Sequence, residues 1–392
     1  MINTIGPLTG NVVMIILGTL SAEFSVSPSD LLSLIPILTI PNAIIQLFSG
    51  ALSDVKGRFP VVLSGLFSLC LSMIIAVFST SLFIFSISSL FWGIGLGLIS
   101  PCIVALITDL TLDKEKIPKK IANLTVFAQI GSATGPIIVS FIVLISWRLL
   151  YVVYALLVAV FICVIIIIPK PPNKPNMESK NNVKFKAVFE DISIEIRRSI
   201  VILLMFSAFL FALCFQSALL LTITEITGMV EETTMGVIFF VIGVIGAINA
   251  NFVGNFMEKK GVKSVLIYGI SVLFFIIIYL LLVGDITRPE IFVYALIVIA
   301  FSGVVSSTLF PTLSYFSQTL SEERRGTLAG LTKASSFIGM SLIPIFYTPI
   351  YESLGITAVY ITSIILAVVL AGSITLLYSR AKKHKLDKDL KK

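Results

Sequence analysis

The sequence predicts an all-α membrane protein with twelve transmembrane helices, arranged as two pseudo-symmetric bundles of six. Three observations lead to this fold class: the composition, the spacing of apolar runs and an internal repeat. The chain of 392 residues is 57% hydrophobic and 12% charged, with a mean hydropathy of +1.06, whereas soluble domains are about 25% charged. A hydrocarbon core about 30 Å thick needs about 20 apolar residues per helix, and roughly twelve such runs fill nearly the whole chain.

The apolar runs, numbered here as spans one to twelve, follow one another with short polar breaks. Their centres lie near residues 13, 42, 69, 94, 132, 158, 210, 245, 273, 301, 337 and 366. The longest break is polar and begins Pro-rich, and it falls after span six. We therefore expect an N-terminal bundle over 1–168, a cytoplasmic linker over 169–198, a C-terminal bundle over 199–379 and a basic cytoplasmic tail over 380–392.

The basic residues predict the orientation of the spans. When the chain is laid out from a cytoplasmic N-terminus, all of its 28 Lys and Arg residues except Arg148 and Arg288 fall in cytoplasmic segments or in span eleven. Because this asymmetry obeys the positive-inside rule, both termini should be cytoplasmic, in a plasma or cell inner membrane. Topology and contact with anionic lipid account for the net charge of +7, so nucleic-acid binding is not expected.

Several kinds of chemistry are not expected from this sequence. The four cysteines lie in apolar runs without paired spacing, and the only histidine lies in the charged tail, so we expect neither a disulfide nor a metal site. The sequence contains no Walker motif that would bind ATP phosphates. Without a catalytic constellation, we expect no enzyme activity and no cofactor.

An internal repeat relates the two halves of the chain. Shifting the sequence by 204 positions lays FSGALSDVKGRFPVVLSG, at 48–65, over FVGNFMEKKGVKSVLIYG, at 252–269. The matched residues are Phe48, Gly50, Asp54, Lys56, Gly57 and Gly65 in the first half, and Phe252, Gly254, Glu258, Lys260, Gly261 and Gly269 in the second. Two six-helix halves related by a repeat are a common plan for secondary transporters. The charges between spans two and three are therefore predicted to serve a mechanical task that recurs in the second half.

Further glycine and proline pairs match at slightly different offsets. The pairs are Gly93 with Gly303, Pro101 with Pro311, Gly131 with Gly339 and Pro136 with Pro344. Small loop insertions would produce such a drift, so these pairs extend the predicted duplication through spans four and five.

The stretch GALSDVKGR, at 50–58, resembles the G-x-L-x-D-x-x-G-R motif of the major facilitator superfamily. In that family, the acidic and basic residues of this loop form a cytoplasmic charge network that locks and releases the outward-open state. The resemblance implies such a gating role for Asp54 and Arg58. It also implies that Gly50 and Gly57 allow close packing and a tight turn.

Two further groups of gate residues follow from the repeat and from a second resemblance. The repeat makes Glu258 and Lys260 the gate candidates of the second half. The stretch GSATGP in span five is similar to the G-x-x-x-G-P motif that is typical of the family's antiporters. The resemblance implies that Gly131 and Gly135 permit tight helix contact and that Pro136 bends the helix, in an element that seals one conformation.

Uncharged polar residues mark a candidate substrate site. Thr39, Asn42 and Gln46 fall at i, i+3 and i+7 in span two, on one helix face that should avoid lipid. The resemblance implies that the polar residues of the cavity-lining helices contact substrate. They are Asn11, Thr39, Asn42, Gln46, Gln129, Gln216, Asn249 and Ser306. Hydrogen bonding between helices is the alternative role for each of them.

The ionisable residues of the spans are few. No acid lies near the midplane of a span, which disfavours a cation-selective exporter and favours a neutral, lipophilic or anionic substrate. Glu23 and Glu225, at the outer ends of spans one and seven, are either proton-coupling sites or solvated loop residues. Lys333 lies about 12 Å deeper in span eleven than Arg325, at about 1.5 Å per residue. It either snorkels to the inner interface or faces the cavity, where it would bind an anion or exchange a proton.

The residues and the resemblance together predict a transporter, most similar to the drug-efflux type, that exports small organic molecules by alternating access in exchange for protons. The basis for export is the span-five motif. The alternative is a uniporter or uptake permease for a small metabolite, such as an anion held by Lys333. The expected partners are a small-molecule substrate, protons and membrane lipid, and we expect the chain to act as a monomer.

Overall fold

The computed structural model describes residues 5–9, 12–110, 131–167, 190, 192–226, 229–283, 301–320 and 325–389. Within these ranges the chain forms helices joined by short turns, without a β-strand element. Helices suit an apolar chain because each helix satisfies its own backbone hydrogen bonds, which lipid cannot do. The predicted all-α fold class is confirmed.

The helices follow the predicted spans in order. Those of the first half are α1 (Ile5–Thr9), α2 (Val12–Ile15), α3 (Leu17–Phe24), α4 (Pro28–Leu31), α5 (Leu34–Lys56), α6 (Arg58–Val77), α7 (Leu82–Leu110), α8 (Gly131–Val143) and α9 (Trp147–Ile167). Those of the second half are α10 (Ser199–Ile226), α11 (Glu232–Val283), α12 (Ser302–Thr319), α13 (Arg325–Ser341) and α14 (Ile343–Asp389).

Eight helical stretches among the described residues are long and apolar enough to cross a membrane. One of them, Thr327–Lys382, contains a break at Gly355 and covers the predicted spans eleven and twelve. The exposed side of α6 is apolar. Phe67, Leu71 and Ile74 of α6, and Phe78 directly after it, are exposed at helical spacing. Such a face fits lipid chains and would be unfavourable in water.

The chain divides into two compact units. The first comprises Met1–Glu190 and Val230–Phe240, and the second comprises Asp191–Met229 and Val241–Lys392. The predicted boundary after residue 168 and most of the predicted linker lie outside the described residues, so that division stays a prediction.

Each unit has its own packed centre. In the first unit α7 packs against α5 and α6, and α6 also packs against α9. A buried cluster that includes Val62, Leu66, Leu69, Cys102 and Val158 fills the space between α6, α7 and α9. In the second unit α10 packs against α12, α13 and α14, and α12 packs against α13.

Three glycines make turns between consecutive helices that no other residue type makes readily. Gly57 separates α5 from α6 with φ 92° and ψ 150°. Gly261 interrupts α11 with φ 78° and ψ 167°, and Gly355 interrupts α14 with φ 77° and ψ 178°. This backbone region is essentially restricted to glycine. The match of Gly57 with Gly261 therefore reflects the same tight turn in both halves.

Glycines also let helix backbones touch at equivalent places in the two units. A methyl group on Gly93 of α7 would lie 2.2 Å from the carbonyl oxygen of Leu38 in α5. A methyl group on Gly303 of α12 would lie 2.1 Å from the carbonyl oxygen of Ile242 in α11. Such contacts leave no room for a side chain, as expected where small residues mediate helix packing in membranes. The contacts support the duplication that the sequence predicts.

A second pair of close glycine contacts lies in α8 and α13. A methyl group on Gly135 of α8 would lie 2.4 Å from the carbonyl oxygen of Leu8, and one on Gly339 of α13 would lie 2.5 Å from that of Phe209. Gly135 and Gly339 therefore make similar contacts in their own units. The predicted pairing of Gly131 with Gly339 stays a prediction.

Candidate functional site

The segment between spans two and three, where the gate candidates of the first half lie, is a tight turn rather than an extended loop. Helix α5 ends at Lys56, Gly57 makes the turn and α6 begins at Arg58. The Arg58 guanidinium donates a hydrogen bond to the hydroxyl of Ser53, which is buried. This contact ties the start of α6 to the last turns of α5.

The remaining gate candidates are only partly covered by the structure. Lys260 is exposed, next to the turn at Gly261. The side chains of Asp54 and Glu258, and the surroundings of Gly50, lie outside the described residues. Gating by these residues stays a prediction.

The span-five motif lies in a densely packed part of the first unit. Gly131, Gly135 and Pro136 are buried, and Gly135 lies against the backbone of α1 at Leu8. Next to it, a methyl group on Gly236 of α11 would lie 2.7 Å from the carbonyl oxygen of Pro136. Close packing at Gly135 and Pro136 agrees with the predicted role of the small residues.

Glu232 makes a polar contact that the sequence does not predict. Its carboxylate accepts a hydrogen bond of 2.5 Å from the Thr19 hydroxyl of α3. Glu232 lies in the first turn of α11, so the bond joins the end of span one to the start of span eight. The sequence does not indicate this contact, because acidic residues are common in the first turn of any helix.

The polar row of α5, which comprises Thr39, Asn42 and Gln46, is buried. The Thr39 hydroxyl donates to the Ile35 carbonyl of its own helix at 2.7 Å. Gln46 Nε2 makes one long contact of 3.4 Å with Ser100 Oγ in α7. The amide oxygens of Asn42 and Gln46 have no hydrogen-bond partner among the described residues.

Asn249 of α11, by contrast, is fully used in helix packing. Its Nδ2 donates to Ser307 Oγ and Thr308 Oγ1 of α12, both at 2.9 Å, and to the Val304 carbonyl at 3.3 Å. Its Oδ1 accepts from the Tyr268 hydroxyl at 2.9 Å. The amide thus joins three helical segments of the second unit.

The other polar candidates are less informative. The Ser306 hydroxyl donates to the Gly303 carbonyl of its own helix at 3.1 Å, and Gln216 is half-buried. Asn11 and Gln129 lie outside the described residues. For these residues the predicted substrate contact stays a prediction.

The two outer carboxylates have different partners. Arg148 of α9 donates to Glu23 at 2.7 Å and to the Ser79 carbonyl at 3.0 Å. A paired guanidinium stabilises the charged carboxylate, so protonation of Glu23 requires weakening this contact. Glu225 instead accepts a hydrogen bond of 2.5 Å from the Tyr351 hydroxyl, a neutral donor.

Lys333 is half-buried in α13. The structure shows no hydrogen bond or ion pair between its ammonium group and any described residue. A lysine at this depth without a partner is costly in a membrane. Both predicted roles, snorkelling and cavity exposure, stay open on this geometry.

These features together define a class of protein. Apolar membrane-spanning helices, two units with equivalent glycine contacts and polar residues within the spans are typical of secondary transporters. The chain belongs to the Major Facilitator Superfamily, whose sequence model matches residues 2–344. It is therefore an integral membrane transporter of that type for a small molecule, rather than an enzyme.

Solved structures of transporters share the fold. A POT family transporter in complex with 5-aminolevulinic acid matches with a TM-score of 0.75 and 13% identity, over 97% of this chain and 95% of that one. A mutant of the nucleoside transporter NupG matches with a TM-score of 0.71 and 15% identity, over 96% and 97%. A D-xylose-proton symporter matches with a TM-score of 0.70 and 15% identity, over 94% and 95%. No curated protein sequence matches the chain.

Proposed function

We propose that the chain is a secondary active transporter that exports small organic molecules by alternating access, in exchange for protons. It would act as a monomer in a plasma or cell inner membrane, with both termini in the cytoplasm. The observation that carries the export proposal is the close packing of the span-five motif. Gly135 lies against Leu8, and the backbone at Pro136 lies against Gly236, which suits an element that seals one conformation.

Glu225 is the carboxylate that fits proton exchange best. Its partner is the neutral phenol of Tyr351, so gaining a proton does not strand an unpaired cation. Glu23 is paired with Arg148, and this cation favours the charged carboxylate and so opposes its protonation. Glu23 therefore fits a structural role at the outer end of the first unit better than a coupling role.

The alternative function is a uniporter or uptake permease for a small anionic metabolite. Lys333 favours it, because an ammonium in a span that has no partner among the described residues can bind a carboxylate or phosphate. In this alternative no proton carrier is required, and Glu225 serves only the packing of α10 against α14.

The deciding experiment uses the purified chain in liposomes that contain a pH dye. Labelled chloramphenicol serves as a neutral lipophilic probe and labelled benzoate as an anionic one. Antiport predicts that an imposed proton gradient moves the probe against its concentration gradient, with a matching change in internal pH, and that a protonophore abolishes both. Equilibration of the probe without proton movement would replace antiport with the facilitator alternative.

A further inference from the structure

We propose that Asn42 and Gln46 form an acceptor site for a neutral substrate that carries at least two hydrogen-bond donors, such as hydroxyl or amide N–H groups. The inference rests on the proposed transport of small organic molecules and specifies their chemistry. Asn42 Oδ1 and Gln46 Oε1 are both buried without a hydrogen-bond partner in the part of the chain that the structure describes. Their residues are only 3% and 6% exposed.

Two orphaned amide oxygens side by side are unusual. Buried polar groups in native proteins are nearly always hydrogen-bonded, and an unpaired one destabilises the folded state. Asn42 and Gln46 are four residues apart on one helix, so their side chains point the same way, about 6 Å apart along the axis. The two vacant acceptors can therefore be met by one molecule.

Exchanging the oxygen and nitrogen of either amide does not remove the problem. These atoms are assigned from the hydrogen-bond network. In the exchanged Asn42, an NH₂ group would occupy the buried position that lacks a partner. In the exchanged Gln46, the oxygen would face Ser100 Oγ, and the NH₂ would take the place of the orphaned oxygen. A polar partner is required at both positions in every assignment.

The described neighbours do not supply that partner. The Thr39 hydroxyl donates to Ile35 of its own helix, and the Ser49 hydroxyl donates to the Gln46 backbone carbonyl. Helix α7 approaches the backbone of α5 closely here, since a methyl group on Gly97 would lie 3.0 Å from the backbone carbonyl oxygen of Asn42. Among the described residues no donor meets the two amide oxygens, and a bound molecule can supply the missing donors.

The uncharged side chains of the site favour a neutral ligand. Thr39, Asn42 and Gln46 are uncharged, and the side chain that contacts Gln46 from α7 is a serine. A cationic donor buried here would lose its hydration, and the site residues Thr39, Asn42 and Gln46 offer no carboxylate to offset the loss. Hydroxyl and amide N–H groups lose much less on burial, so polyols, nucleosides and hydroxylated amides fit the site.

Asn249 provides a matched comparison within the same chain. It too is a buried asparagine in a span, at 7% exposure, but its amide bonds to Ser307, Thr308 and Tyr268. An asparagine that serves packing is therefore satisfied in this fold. The unsatisfied state of Asn42 is a property of its site and not of asparagine in a span.

The test combines stability with ligand binding in purified full-length protein. Asn42→Leu and Gln46→Met replace the amides with apolar side chains of similar size. Because a vacant acceptor is removed, Asn42→Leu should keep or raise the unfolding temperature measured without ligand. Asn249→Leu is the control and should lower it, since it removes bonds that are made.

Binding is measured by the thermal shift that chloramphenicol, uridine or D-xylose produces, each a neutral molecule with several donors. Each substitution should weaken the affinity for a bound probe about tenfold, the equivalent of about 1.4 kcal/mol for one hydrogen bond. An analogue of the bound probe with its hydroxyls methylated should bind weakly to the unmodified chain and be indifferent to both substitutions.

Three results would overturn the inference. They are unchanged probe affinity in Asn42→Leu and Gln46→Met, a fall in unfolding temperature for Asn42→Leu as large as for Asn249→Leu, and no binding of any donor-bearing probe to the unmodified chain. A fall in stability would mean that the oxygens serve structure, for example through a buried water. Because binding is measured without a proton gradient, the result can be interpreted even if transport is not coupled to protons.

Discussion

The glycine contact between α11 and α12 allows a quantitative test of the fold. In Gly303→Ala, the new methyl group would lie 2.1 Å from the Ile242 carbonyl oxygen and 3.0 Å from the Gly246 nitrogen. An ordinary carbon–oxygen contact is about 3.3 Å or longer, so the two backbones must separate by roughly 1.2 Å. Both obstacles are backbone atoms, which cannot rotate away as a side chain can.

The expected loss of stability follows from this displacement. Overpacking costs about 1–3 kcal/mol, and a backbone clash places Gly303→Ala at about 3 kcal/mol. Alanine recovers about 1 kcal/mol through its higher helix propensity. The net loss is about 2 kcal/mol, or about thirtyfold in the folding equilibrium. Gly93→Ala should behave alike, because its methyl group would lie 2.2 Å from the Leu38 carbonyl oxygen.

Reversible unfolding in mixed micelles measures this loss. The control is Gly372→Ala in α14, where nothing lies within 4 Å of the added methyl group. It should leave stability unchanged or raise it by up to about 1 kcal/mol. If Gly303→Ala were as stable as Gly372→Ala, the close approach of α11 and α12 would be wrong.

Three further substitutions test other parts of the chain. Gly57→Ala places a side chain at φ 92° and ψ 150° and should destabilise by about 1–3 kcal/mol, measured by the same unfolding assay; unchanged stability would contradict the turn geometry. Asp54→Asn should alter conformational exchange, followed by fluorophores on the two halves, and slow transport in liposomes; normal exchange and transport would remove Asp54 from the gate. Lys333→Gln should weaken benzoate uptake at least tenfold if the anion alternative holds, and unchanged uptake and pH dependence would assign Lys333 to the inner interface.

The fold could be predicted from the sequence to a large extent because hydropathy and the repeat are strong signals. The length of the apolar runs follows directly from bilayer thickness. The pairing of Gly57 with Gly261 was visible because a rare backbone conformation admits only glycine. The register of span five is less secure, since Gly131 and Gly135 lie one turn apart and either could match Gly339. The contact of Gly135 with Leu8 resembles that of Gly339 with Phe209.

The site was less predictable because polar residues of one type serve different purposes. Asn42 and Asn249 look alike in sequence, since each is an asparagine flanked by apolar residues. Their difference depends on what the neighbouring helices offer, which is a tertiary property. Likewise, Glu23 and Glu225 occupy similar positions, but only the fold brings Arg148 to one and Tyr351 to the other.

The two halves share their helix contacts but differ in the hydrogen bonding of their buried amides. The backbone contacts at Gly93 and Gly303 are equivalent, so the two halves keep the same helix frame. The buried amides have diverged on that frame: Asn249 joins its neighbours, whereas Asn42 leaves an acceptor vacant. Departures from local rules of this kind are expected at functional sites. We therefore infer that Asn42 serves recognition of the neutral part of the substrate, whereas Asn249 serves the packing of the second half.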